Sequence, residues 1–138
     1  MGASIGAFGI IKVCSKIVLV RHAYGEQKLS LPGGGLETGE TPDIAVQRES
    51  FEETGLCVSF EHIGTFFLRK SPGCVHLFFG EAESLPENLA ADLKEIKETL
   101  LVDPNELPED VYPAQRRLIG RWILNDLGNC GSYPFDLL

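Results

Sequence analysis

The chain has 138 residues, the length of one domain, and 43% of them are hydrophobic against 23% charged, which argues against a disordered chain. Twelve Lys and Arg stand against twenty Asp and Glu, a formal charge of −8. That balance argues against duplex DNA or an anionic membrane surface as partner, but not against a small anion bridged by a cation.

Cys14, Cys57, Cys74 and Cys130 are scattered, with no C-x-x-C pair, so the thiols read as reduced and the setting as cytoplasmic. Cys74 and His76 share one face of a strand, but two donors without a second pair read as packing rather than zinc. The apolar run from Met1 to Val20 is broken by Lys12 and Lys16 and is neither signal peptide nor membrane span.

In chain order, Ile5–Val13 and Lys16–His22 are Ile- and Val-rich and read as two strands about Cys14-Ser15. Glu26–Leu31 leads into Pro32-Gly33-Gly34-Gly35, which reads as loop. Thr41 and Pro42 mark a helix start, Asp43 suits the helix dipole, and Gly55 stops a helix that runs to Thr54. Cys57–Leu68 and Cys74–Glu83 read as strands about the turn Arg69-Lys70-Ser71-Pro72-Gly73, and Leu85–Ala91 as loop or a short helical turn. Glu98–Val102 reads as a strand, with turns at Asp103-Pro104 and Leu107-Pro108 after it. Leu118, Ile119, Trp122 and Ile123 give Pro113–Leu127 a helical period. Strands around one central and one terminal helix predict a single α+β domain, or a three-layer α/β/α sandwich about a mixed sheet.

The chemistry concentrates between Gly33 and Leu56. On a helical wheel Glu49, Glu52 and Glu53 share one wedge. Two carboxylates about 6 Å apart repel by roughly 3 kcal/mol at an effective dielectric near 20, so helix stability alone does not favour the arrangement. A hard divalent cation with oxygen ligands, Mg²⁺ above all, converts the repulsion into coordination energy. Taken alone, a run of glutamates reads as a solvated face. Its framing changes that reading.

The segment runs Gly34, five residues, Glu40, seven residues, then Arg48-Glu49-Ser50-Phe51-Glu52-Glu53-Thr54-Gly55-Leu56. This resembles the signature of the Nudix hydrolases, G-x5-E-x7-R-E-U-x-E-E-x-G-U, where U is a bulky aliphatic residue. Only the first U departs, being Ser50 here. That position faces the core in the family, and the helical hydroxyl is expected to bond the preceding turn's carbonyl. Leu31-Pro32-Gly33-Gly34 and Glu106-Leu107-Pro108 also look like the family.

The resemblance implies an α/β/α sandwich carrying a loop–helix–loop motif, and hydrolysis of a nucleoside diphosphate linked to another group with Mg²⁺ or Mn²⁺. Carried over by position, Glu49, Glu52 and Glu53 hold metal with the Gly33 carbonyl, and Arg48 orients the glutamates. Glu40 braces the loop or binds metal through water. Glu52, Glu95 and Glu98 are candidates for the general base. Arg21 and Gly34 are placed at the substrate, Arg21 as a phosphate contact. Phe66 and Phe67 alternate faces of one strand, and core packing is the expected fate of both, with a stacked base as the alternative for one. Pro72, 16 residues beyond Leu56, resembles the ADP-ribose branch, while the chain's length fits nucleoside triphosphate pyrophosphohydrolases equally. A homodimer stays open. The rival reading is a catalytically silent nucleotide-binding domain of the same family, and the intact glutamate set argues against it. A Ca²⁺ module of EF-hand type lacks its D-x-D-x-D-G loop.

Overall fold

The computed structural model describes residues 4–68, 72–86, 96–125 and 132–135. Its elements are β1 (Ser4–Val13), β2 (Lys16–His22), β3 (Leu29–Ser30), β4 (Gly33–Gly35), α1 (Pro42–Thr54), β5 (Glu61–Leu68), β6 (Gly73–Ala82), β7 (Ile96–Val102), α2 (Pro113–Ile123) and β8 (Ser132–Phe135). All eight strands join one mixed sheet, ordered β3-β2-β1-β6-β5-β8, with β4 on β1 and β7 on β2.

β1 is its spine. One edge pairs in parallel with β6 over ten residues, from Ser4↔Gly73 to Val13↔Ala82. The other edge is shared. Its end meets β2 antiparallel through Lys12↔Ile17, while its beginning meets β4 through Gly6↔Gly35 and Phe8↔Gly33. β2 in turn pairs with β3 through Val20↔Ser30. The segment from Leu29 to Gly35 is thus a wedge filling the fork where β1 and β2 diverge.

The wedge corrects the expectation of a loop at Pro32–Gly35, because Gly33–Gly35 is a strand. Gly33 takes φ 148°, and a Cβ there would lie 2.2 Å from the Ala7 carbonyl oxygen. The glycines read as punctuation in sequence, yet here they let two backbones come close enough to pair.

The sheet separates two cores, as expected of an α/β/α sandwich. Ile10, Ile17, Leu19, Leu31, Phe66 and Leu77 pack with Leu118 and Ile119 of α2. On the other face Ala7 and Phe78 pack with Ala45 and Val46 of α1. Each such aliphatic or aromatic side chain contributes about 1.5–3 kcal/mol on full burial.

Helix α1 starts and stops at the residues that announce it. Thr41 is the N-cap, although its side chain makes no capping bond, and Gly55 at φ 75° ends the helix with its N–H donated to the Phe51 carbonyl. Its burial pattern is reversed from that of an ordinary surface helix. Ser50, Glu53 and Thr54 are buried, while Ile44 and Phe51 are about half exposed. α2 is shorter than expected, ending at Ile123 with Leu124 and Asn125 in a turn; residues 126 and 127 lie outside the described set. Residues 57–60 are not part of β5. They take no regular secondary structure, and Val58 packs against Ile11, Val13 and Val18 without joining a strand ladder. β8 was not anticipated; it pairs in parallel with β5 through Thr65↔Ser132. The turn at Arg69–Ser71 and the segment 87–91 lie outside the described residues.

Ser50 corrects a second expectation. It is fully buried, and among the described residues its hydroxyl has no hydrogen-bond partner, neither the preceding turn's carbonyl nor any other group. The Ser50 carbonyl instead accepts the Thr54 hydroxyl at 2.6 Å. An unsatisfied buried hydroxyl costs about 1–3 kcal/mol. Ser50→Ala is therefore expected to stabilise the protein by about 1 kcal/mol, read as a raised urea midpoint at unchanged slope. A lowered midpoint would show that the hydroxyl has a partner.

Candidate active site

The site forms where α1 passes the glycine wedge. Glu53 is its most enclosed member, 2% exposed. One carboxylate oxygen accepts the Gly33 N–H at 2.7 Å, and the other lies 2.7 Å from His22 Nε2, which donates to it. Burial pushes the Glu53 carboxyl above its usual range, and the His22 and Gly33 hydrogen bonds offset part of that rise. Helix, wedge and the end of β2 are tied together at this one side chain.

Glu49 lies one turn earlier against Gly34, where a Cβ would sit 3.0 Å from its carboxylate. Only a glycine lets the carboxylate lie that close to the backbone. Burial raises the Glu49 pKa, with the neighbouring Glu53 charge adding to it. Glu52 is more open, with its side chain 45% exposed.

Arg48 serves four carboxylates. Its Nε and Nη2 form a fork on Glu40 at 2.7 and 2.9 Å, and Nη1 reaches Glu49 at 3.0 Å and Glu52 at 3.3 Å. Nη1 also lies 3.6 Å from Glu37. The Arg48 fork holds the Glu40 carboxyl down at about 2, helped by the Glu37 N–H that donates to it at 2.9 Å. The turn from Glu37 to Glu40 is thereby fastened to the helix.

The three glutamates do not converge. Among the described residues no three His, Cys, Asp or Glu side chains are gathered as a metal-holding group. Glu53 faces Gly33 and His22 while Glu52 turns toward Arg48. Gly33 gives its N–H to Glu53 in this cluster. The donor chemistry nevertheless fits a hard divalent ion: oxygen donors, among them the buried Glu53 and partly buried Glu49 carboxylates, whose raised pKa values a nearby cation would lower.

Other sequence candidates lie apart. Arg21 is engaged by Glu98 at 2.9 Å, Asp110 at 2.6 Å and the Gln27 carbonyl at 2.6 Å, so its charge is already matched by protein carboxylates. Glu98 makes that contact from β7, and Glu95 lies outside the described residues. Phe66 is fully buried in the core, whereas Phe67, expected to pack as well, is 46% exposed. Cys74 and His76 do share a face, with Sγ 3.7 Å from His76 Nε2, and His76 Nδ1 meets the Thr65 hydroxyl at 2.9 Å. These contacts form a hydrogen-bonded surface network.

Sequence reasoning missed His22 entirely. It sits 31 positions from Glu53, and only the sheet brings the two together. It also missed a cavity of about 360 Å³ beside the glutamates, on the α2 side of the sheet. His22, Gly33 and Gly34 line it, Phe8, Tyr24 and Tyr112 give it aromatic walls, and Ser30 and Gln115 add polar groups.

The NUDIX domain family model matches residues 3–122. A Bacillus subtilis (strain 168) protein provisionally named 8-oxo-dGTP diphosphatase is 32% identical over 115 residues, covering 83% of this chain and 76% of its own. RNA pyrophosphohydrolases from Yersinia, such as that of Yersinia pestis (strain Pestoides F), are 44% identical over 48 residues, 33% of this chain and 27% of theirs. The chain thus matches only about a quarter of their length. The crystal structure of a NUDIX hydrolase from Nitrosomonas europaea superposes with a TM-score of 0.76 at 19% identity, covering 99% of this chain and 80% of that one. The chain belongs to the NUDIX domain family and is a Nudix hydrolase.

Arg48→Ala is expected to lower kcat about 10–100-fold, the loss typical of a residue that orients others, and Arg48→Lys to recover little because an ammonium cannot fork onto Glu40. In the same variants the Glu40 carboxyl, titrated by carbon-detected NMR, should move from about 2 toward the range of a free glutamate. Unchanged turnover together with an unmoved Glu40 titration would refute the orienting role.

Proposed function

We propose that this chain hydrolyses the diphosphate linkage of a small nucleotide, with Mg²⁺ or Mn²⁺ held by Glu49, Glu53 and Glu52. One observation carries the reading: His22, Gly33 and Gly34 line the cavity, and the same three residues meet the carboxylates of Glu53 and Glu49. A nucleoside in the cavity would therefore direct its phosphates across the glycine wedge to the glutamates. The family match and the diphosphatase and pyrophosphohydrolase names of the relatives support this substrate class.

Each residue has a part in that reading. The bound ion would neutralise phosphate charge and acidify a water. Gly33 and Gly34 let phosphate oxygens approach where a Cβ would collide with neighbouring groups. Arg48 keeps Glu49 and Glu52 at fixed positions. Glu52, the most open of the three, takes the proton of the attacking water. Glu98 is occupied with Arg21 and braces β2 to β7 instead of acting as the base. No helix among the described residues is long and apolar enough to cross a membrane.

Activity on a panel of nucleoside triphosphates and nucleotide sugars should vanish in excess EDTA and return with Mg²⁺ or Mn²⁺, with Ca²⁺ weaker or inhibitory. Full turnover in EDTA would sink the metal assignment.

Glu53→Gln separates a metal ligand from a structural glutamate. The amide keeps an acceptor for the Gly33 N–H and removes a buried charge, so melts in EDTA should be unchanged or raised, by up to about 3 kcal/mol. The extra stability conferred by Mg²⁺ should shrink and hydrolysis should fall by orders of magnitude. A variant that melts lower in EDTA yet turns over at the wild-type rate would show that Glu53 is purely structural.

A further inference from the structure

In sequence, Cys74 and His76 stand without a second pair of donors. The fold brings up another histidine. His62 and Thr65 are three residues apart on β5, and in a regular strand such residues point to opposite faces. Between them β5 carries an extra residue: His62 pairs with Phe78 and Gly64 with Leu77, so two steps on β5 match one on β6. This bulge turns His62 onto the face of Thr65, which pairs with His76. It is the face on which Phe78 packs against α1, opposite to Val75, which lines the cavity.

Three donor atoms meet there. His62 Nε2 lies 3.2 Å from His76 Nδ1 and 3.0 Å from Thr65 Oγ1, and the latter two atoms are 2.9 Å apart. This triangle has the dimensions of adjacent ligands on one ion. Donors about 2.1 Å from a metal and at right angles are about 3.0 Å apart, and tetrahedral ones about 3.4 Å. The triangle is also reachable, since His62 is exposed and Thr65 and His76 are only partly buried.

The far side of the His76 ring decides which nitrogen is the ligand. Its Nε2 lies 3.7 Å from the Cys74 sulfur, a weak acceptor that takes the ring proton. Nδ1 then bears the lone pair, on the side of His62 and Thr65. A histidine that ligates through one nitrogen and gives its other N–H to a neighbour is the usual arrangement at metal sites. Burial lowers the His76 pKa, and charge on His62 lowers it further, which favours the neutral ring a metal needs. With both rings neutral, one proton serves the two facing nitrogens. A cation takes its place once that proton moves to the other nitrogen of the His62 ring. Two imidazoles and a hydroxyl, with no carboxylate, suit Zn²⁺ and its neighbours and not Mg²⁺, the reverse of the glutamate cluster.

We propose that His62, His76 and Thr65 form a second metal site, a zinc clasp that holds β5 to β6 on the α1 side of the sheet. It shares no residue with the hydrolytic site, and its hydrogen bonds reach none of the motif glutamates.

Zinc alone is the probe, added to the full chain with Mg²⁺ in excess to occupy the glutamates. Imidazole nitrogen resonances read the site directly and do not respond to zinc taken up by the free thiols of Cys14 and Cys57. His62 Nε2 and His76 Nδ1 should move together at micromolar zinc, and the melting temperature should rise with it. His62→Gln, a change at an exposed position, and His76→Gln should each weaken that binding by at least about 10–100-fold, the loss that even an indirect partner of a metal entails. Cys74→Ser keeps an acceptor for the His76 N–H and should still bind zinc. In His62→Gln the zinc-dependent rise in melting should vanish while Mg²⁺-dependent turnover remains. Either nitrogen unmoved up to millimolar zinc would overturn the site, as would an undiminished His76 shift or melting rise in His62→Gln.

Discussion

Glu53 is a carboxylate almost wholly withdrawn from water, and withdrawal of a charge is among the costliest things a fold can do without compensation. Here the compensation comes from two other parts of the chain, the Gly33 N–H and the His22 ring. Those bonds hold only if α1 lies flat against the wedge, and the wedge exists only because β1 and β2 diverge far enough to admit it. Together with the packing of Ala45 and Val46, the hydrogen bonds of Glu53 hold α1 with Ser50 and Thr54 inward while Ile44 and Phe51 meet solvent. The reversed helix follows from presenting carboxylates toward the sheet edge.

Arg48 plays the opposite part at the outer rim. It is a cation among acidic residues and is matched several times over, by Glu40 above all. Carboxylates on one helix face repel, and in the absence of a divalent ion this guanidinium is what moderates that repulsion. Glu49 and Glu53 have raised pKa values chiefly because burial takes water from them, with neighbouring carboxylate charge adding to it.

Local signals in the sequence were legible where one residue sets one backbone conformation. Thr41-Pro42 and Gly55 bounded α1, and Ile- and Val-rich runs gave β1 and β2. What was not legible depends on partners far along the chain. Gly33–Gly35 looks like a loop until Ala7 and Phe8 are placed alongside, and nothing near Ser132 announces that it will pair with Thr65. The glutamates stood out because their spacing repeats a helical turn, whereas His22 and Gln115 are single residues on other elements. Ser50 was recognised as a departure, but its missing hydrogen bond was not, since rotamer and neighbours decide which carbonyl a hydroxyl can reach.

The parallel pairing of β1 with β6 has a kinetic meaning. It joins residues about 70 positions apart, and contacts of such high sequence separation make folding slow because a long loop must close before they are rewarded. α1 rests on Ala7 from one of these strands and Phe78 from the other, so its floor is absent until that closure has taken place. A nascent chain released only as far as Phe60 already contains every glutamate of the motif, yet it lacks half of the surface on which they are arrayed. Catalytic competence therefore arrives late, with the return of the chain through β6, and not when the motif itself has been made.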